Sequence, residues 1–217
     1  MNFIRKIKDG IKNILSILTE WFRQKGKDKL TIGFFGSPNV GKTSLANRIC
    51  VDAGVEPMGN VSVIPHETRE ILRKEGLTIN IGDAKLSMNI LDLPGVSIKV
   101  DYREFLNYGL SIDEAQERAR KATKGIVEAL KAMEKVDTAL VILDSTQDPR
   151  TQVNITLLGA MEAREIPFII VANKIDLENA NVERIKKLFP EYPTVAVSAL
   201  TGKDMEKLYN KIKENAG

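Results

Sequence analysis

A chain of 217 residues, 43% of them hydrophobic, has the length for one α/β domain with a small appendage and enough apolar side chains for a core. A single cysteine, Cys50, excludes an intramolecular disulfide, no run of 18 apolar residues marks a membrane-spanning helix, and no small-residue cleavage site follows a short apolar core at the start, so a reducing, cytoplasmic setting is expected. The net charge of +3 is unevenly spread: residues 1–30 hold eight Lys or Arg against three Asp or Glu, a net +5, which leaves −2 for the remainder.

The first 22 residues read as an amphipathic helix. Phe3, Ile4, Ile7, Ile11, Ile14, Leu15, Leu18 and Phe22 recur at steps of three and four, and Arg5, Asp9, Lys12, Ser16, Glu20 and Arg23 lie opposite. The stripe has two outlets. It can dock on the body of the domain, or it can meet a membrane surface or a protein partner, for which Lys8, Lys12 and Trp21 beside it are suited. The charged segment Arg23–Lys29 with Gly26 then places a boundary, giving a basic helix and linker over residues 1–28 and one α/β domain over residues 29–217.

The apolar run Leu30–Phe35 predicts a buried strand. It delivers Gly36-Ser37-Pro38-Asn39-Val40-Gly41-Lys42-Thr43, a complete G-x-x-x-x-G-K-[ST] loop, and Ser44–Cys50 continues as a helix. Backbone N–H groups of such a loop and the helix N-terminus converge on phosphate. Gly36 and Gly41 let the chain approach closely, Lys42 reaches the β- and γ-phosphates, and the Thr43 hydroxyl suits Mg²⁺. Residues 51–70, with Gly54, Pro57, Gly59 and Pro65 and no period, read as a long functional loop, and Cys50 as a buried, inert thiol.

Strands over Leu77–Ile81 and Lys85–Leu91 flank Gly82-Asp83, a hairpin signal. The second ends in Asp92-Leu93-Pro94-Gly95. There a carboxylate can hold a Mg²⁺ water and a glycine N–H can face a γ-phosphate. Residues 96–110 are irregular, with Tyr102, Phe105 and Tyr108, and Ser111-Ile112-Asp113-Glu114 is a capping box for a helix to about Lys135. Strands at 138–143, 167–172 and 194–197 then alternate with helices at 152–165, 182–188 and 204–214. This predicts an α/β fold: a mainly parallel six-stranded sheet, one antiparallel strand at or near an edge, and helices on both faces.

Asn173-Lys174-Ile175-Asp176 follows a strand end. The Asp176 carboxylate can accept from N1–H and the exocyclic amine of guanine, which adenine does not offer. The Lys174 stem can cover the base, and Asn173 can tie this loop to the phosphate loop. A backbone N–H within Ser198-Ala199-Leu200 would meet the guanine O6.

Together Gly36–Thr43, Asp92–Gly95, Asn173–Asp176 and Ser198–Leu200 resemble the motif series of translation-factor-related GTPases. The loop form G-x-P-N-V-G-K-[ST] is most similar to the Era-like branch of the TrmE–Era–Obg-like superfamily, over Lys29 to the C-terminus. The resemblance implies a P-loop G domain that binds GTP or GDP through Gly36 to Ser44, Asp92, Gly95, Asn173, Lys174, Asp176 and Ser198 to Leu200. Its catalytic set is Lys42, Thr68, Gly95 and Asn39. Mg²⁺ is held by Thr43, by Thr68 and, through water, by Asp92. Thr68 stands in His66-Glu67-Thr68-Arg69-Glu70 where the family has G-T-T-R-[DE]. His66 is read either as a water or partner contact or as a surface residue.

Where signalling GTPases carry a water-orienting glutamine this chain has Val96. The matching branch instead uses an asparagine to hold potassium. Asn39 is its counterpart, and a turn residue after Pro38 is the other reading. Era's RNA-binding KH domain has no counterpart in these residues. The expected function is a Mg²⁺-dependent, potassium-stimulated GTP hydrolase acting as a conformational switch. A membrane-peripheral or assembly-associated module with structural nucleotide is the alternative. A membrane surface, a protein, RNA or the ribosome, and a nucleotide-dependent dimer remain open as partners.

Overall fold

Strand β1 (Leu30–Phe35) is buried at all but one position, which its six apolar or small residues permit only in the middle of a sheet covered on both sides. A computed structural model describes residues 29–59, 71–82, 84–96, 103, 106–107 and 109–216. The helix expected within residues 1–28, Thr68 with His66 and Glu67, and the aromatics Tyr102, Phe105 and Tyr108 lie outside them.

After β1 come α1 (Lys42–Asp52), β2 (Leu72–Ile81), β3 (Ala84–Asp92), α2 (Ile112–Ala132) with a 3₁₀ turn at Met133–Lys135, and β4 (Thr138–Asp144). Then follow α3 (Gln152–Ala163), β5 (Phe168–Asn173), α4 (Val182–Leu188), β6 (Thr194–Ala196) and α5 (Met205–Ala216). The sheet order is β2-β3-β1-β4-β5-β6, with β2 antiparallel to β3 and the other pairs parallel. The chain leaves β1 toward β3 on one side and later returns to β4 on the other. The carboxyl end of β1 is therefore the switch point at which ligands of such sheets bind.

Alternation along the strands divides the core. Ile32, Phe34, Leu140, Ile142 and Val171 face α1 and α5, packing on Leu45, Ile49, Leu208 and Ile212. Phe35, Val141, Leu143 and Ile170 face the other way, onto Met133, Leu157, Met161 and Ile185. The expected doubly covered sheet, with its antiparallel strand at an edge, is the fold observed.

One strand is longer than its pattern implies. β2 begins at Leu72 rather than Leu77, because Arg73-Lys74-Glu75 has no apolar alternation yet pairs with β3 through backbone alone. The register shifts between Lys74 and Leu77, where Gly76 at φ +70° donates its N–H to Asn89 Oδ1 at 2.9 Å. Charge and a bulge on this edge suit a strand that must not recruit another.

Candidate nucleotide site

Helix α1 starts differently from its neighbours. The Ser111 hydroxyl accepts from Glu114 N–H in a capping box, Thr151 Oγ1 accepts from Asn154 N–H, and Asn181 Oδ1 accepts from Arg184 N–H. At α1 the cap is Gly41, with no side-chain cap and no acidic residue in the first turn, a helix start suited to an outside anion. Gly41 has φ +97°, and a Cβ there would collide with the Asn173 amide. The helix begins at Lys42, earlier than the expected Ser44, which puts Lys42 and Thr43 in its first turn.

Lys42 is buried, and its Nζ donates to Ser37 O at 2.8 Å and Gly36 O at 3.2 Å. Desolvation lowers the ammonium to about 8, against the pull of Asp92. A cation held this way gains by meeting phosphate. Thr43 Oγ1 donates to Asp92 Oδ2 at 2.6 Å, and Asp92 Oδ1 is buried with no hydrogen bond of normal geometry among the described residues. Burial pushes the Asp92 carboxyl up, outweighing Thr43, Lys42 and the Leu93 amide. A hydroxyl and an under-satisfied buried carboxylate are hard oxygen donors, so this pair fits Mg²⁺.

The segment after Asp92 lies on the phosphate loop. Val96 N–H donates to Gly36 O at 3.0 Å, and a Cβ on Gly95 would come within 2.8 Å of Pro38 Cα. The Val96 side chain is buried in the core face that contains Leu93 and Met133. Asn39 is exposed on the loop at φ +61°.

Asn173 joins the two ends of the cleft. Its Nδ2 donates to Val40 O at 2.9 Å, and its Oδ1 accepts from Ala199 N–H at 3.0 Å. The Ser145 hydroxyl donates to its backbone carbonyl. Lys174, at φ +68°, sends Nζ to Asp144 Oδ2 at 2.6 Å. Burial raises the Asp144 carboxyl, but hydrogen bonds from Lys174 and Thr146 outweigh it and leave the carboxyl low. Asp176 is exposed on the turn after β5. Of the three amides expected near a guanine O6, Ser198 N–H goes to Lys203 O and Ala199 N–H to Asn173. The Leu200 amide has no acceptor among the described residues, and its side chain is 80% exposed.

Two groups were not singled out from the sequence. Asp144, opposite Asn173 in register, fixes Lys174; an acidic residue at the end of the neighbouring strand was its signal. Arg48 pairs with Asp52 at 2.8 Å, and Tyr209 donates to Asp52 at 2.5 Å. The Arg48 guanidinium lies where a Cβ on Gly202 would sit, so α1, α5 and the Ser198–Lys203 loop are clamped together. No local pattern announces that contact.

A phosphate loop at the switch point of a mainly parallel sheet, with a second polar loop tied to it, defines a P-loop G domain. The family model described as 50S ribosome-binding GTPase matches residues 31–174, well over half the chain, and the chain belongs to that family. GTPase Der of Clostridium acetobutylicum is 28% identical over 220 residues, covering 94% of this chain and 44% of the relative. The tRNA modification GTPase MnmE of Natranaerobius thermophilus is 31% identical over 180 residues, covering 82% of this chain and 33% of the relative. The chain thus spans less than half the length of these curated relatives. A crystal structure of Era with MgGDPNP and nucleotides 1506–1542 of 16S ribosomal RNA shares the fold, with a TM-score of 0.64 at 23% identity over 84% of this chain and 55% of that one. The resemblance to the TrmE–Era–Obg-like GTPases is borne out.

Proposed function

We propose that this chain binds GTP with Mg²⁺ and hydrolyses it to GDP and phosphate, switching conformation as it does so. The observation that carries the reading is Asn173, whose single amide holds the phosphate loop through Val40 and the base loop through Ala199. Lys42 would exchange its loop carbonyls for β- and γ-phosphate oxygens, and the α1 amides would surround the same anion. Water attacks the γ-phosphorus, the bond to the β–γ bridging oxygen breaks, and charge passes to the GDP leaving group. When bound, Mg²⁺ at Thr43, Thr68 and, through water, Asp92 would neutralise phosphate charge. The Gly95 N–H would face the γ-phosphate, and Asp176 would read the guanine edge.

Val96 supplies no hydrogen bond to a water. Stimulation therefore falls to potassium at Asn39, as the resemblance implies. Residues 51–70 and 92–110 are the segments that would respond, and the Val96–Gly36 contact supports coupling of the second to the phosphate loop. The basic residues 1–28 suit an anionic membrane surface at the cytoplasmic face. The family's description and the RNA-bound Era support RNA or the ribosome as the other partner.

The test compares GTP, ATP and XTP binding for wild type and Asp176→Asn, with single-turnover hydrolysis in potassium and in sodium. Wild type should prefer GTP, and the variant should lose about 2–3 kcal/mol of GTP affinity and shift toward XTP. Equal wild-type affinity for ATP and GTP overturns the base assignment. Equal hydrolysis rates in the two salts overturn potassium stimulation. Tight GTP binding without turnover in either salt leaves the binding-module reading.

A further inference from the structure

The loop that leaves α1 comes back to the same helix four residues after Thr43. Asn47 Oδ1 accepts from Met58 N–H at 2.9 Å and Gly59 N–H at 3.3 Å, while Asn47 Nδ2 donates to Gly59 O at 2.7 Å. This pattern sets the orientation of the amide, since a flip would oppose donor to donor. Met58 also packs on the core face beside α1, so residues 58–59 are held at two points. Asn47 and Thr43 stand at i and i+4, on one face of the helix.

Gly59 thereby comes beside the methyl side of Thr43. A Cβ built on Gly59 would be 3.4 Å from Thr43 Cγ2 and 2.7 Å from Leu72 Cδ1, so the chain passes here with no room to spare. A threonine has one Cγ methyl and one Oγ1 on the same carbon. With Gly59 on the methyl side of Thr43 there is space for little more than a hydrogen there, and the rotamer observed is the one whose Oγ1 reaches Asp92 Oδ2 at 2.6 Å.

We infer that Asn47 is a positioning residue for the Mg²⁺ site: by anchoring Met58 and Gly59 over Thr43, it holds the threonine hydroxyl toward Asp92. This rests on the reading of Thr43 and Asp92 as the Mg²⁺-binding pair. The Asn47 side chain bonds the backbone of Met58 and Gly59, so its role would be indirect. It acts as outer-shell partners of metal ligands do, by orienting the group that binds.

The experiment titrates Mg²⁺ against fluorescent GDP release from the full chain, for wild type, Asn47→Ala and Asn47→Asp, with GDP affinity in EDTA measured in parallel. Asn47→Ala should raise the half-saturating Mg²⁺ concentration about tenfold or more, and leave the affinity in EDTA within about twofold because no nucleotide contact is removed. Asn47→Asp keeps the acceptor for both amides and loses the donor to Gly59 O, so it should fall between the two. It also guards against a misfolded alanine variant. Variants that are less heat-stable yet share the wild-type Mg²⁺ requirement overturn the inference alone. A wild type whose GDP binding ignores Mg²⁺ overturns the underlying metal reading and this inference with it.

Discussion

Lys42 illustrates how a proposed phosphate ligand strains the protein that carries it. Its ammonium stays buried with two carbonyls as partners, and desolvation moves it from 10.5 to about 8. A base depressed by folding binds fewer protons folded than unfolded between about 8 and 10.5, so stability rises with pH across that window. Below it both states are protonated and the penalty is present in full, about 3 kcal/mol at roughly 1.36 kcal/mol per unit. Lys42→Met removes the penalty and gives up two hydrogen bonds. The nucleotide-free variant should therefore be stabilised relative to wild type most at neutral pH, with a gap that narrows toward pH 10. Urea denaturation of both proteins at the two pH values reads this, and a pH-independent gap would contradict the strain. The lysine was legible from its motif as a candidate phosphate ligand. Its cost was not, because that depends on Asp92 and on what covers it.

Among the elements, those with chemical punctuation were the most legible. Ser111 and Glu114 announced the start of α2, and both halves of the capping box are made, Glu114 Oε2 accepting from Ser111 N–H at 2.9 Å. Ser111→Ala should cost about 1 kcal/mol, read as a lower midpoint in chemical denaturation at unchanged slope; an unchanged midpoint would mean the cap contributes nothing. The helix expected to run to Lys135 instead tightens into a 3₁₀ turn after Ala132, burying Met133. The first half of β2 was missed for a different reason. This half of the edge strand pairs with β3 and buries no side chain fully, so Arg73, Lys74 and Glu75 carry no period-two signal, whereas Leu77, Ile79 and Ile81 beyond the bulge do.

At the scale of the molecule the apolar stripe expected over Phe3–Phe22 needs a surface on which to bury. Eight large apolar side chains left in water would each forgo about 1.5–3 kcal/mol of burial. If the stripe meets lipid, the full chain should sediment with anionic vesicles at low salt and be released by added salt, whereas the chain from Lys29 onward should stay in solution. No sedimentation in either nucleotide state would send the stripe to the G domain or to a protein. None of the described helices is long and apolar enough to cross a bilayer, so any membrane contact through them would be peripheral.

Sequence alone determined the order of strands and helices, the antiparallel hairpin and the phosphate loop. Each rests on local chemistry: apolar runs for buried strands, Gly36 and Gly41 for close approach to phosphate, Ser111 for a helix start. It also placed Asp92 and Asn173 at strand ends, because the polar groups that serve a parallel sheet's cleft must lie there. The tie from Asn173 to the phosphate loop was expected, but only the tertiary structure decided the atoms through which these groups meet. Asn173 bonds Val40 across 133 positions, Asp144 holds Lys174 across 30, and Asp92 meets Thr43 across 49. Those meetings follow from β1 lying between β3 and β4, with β5 next. Strand order of that kind is settled by which faces bury together, and no spacing along the chain records it.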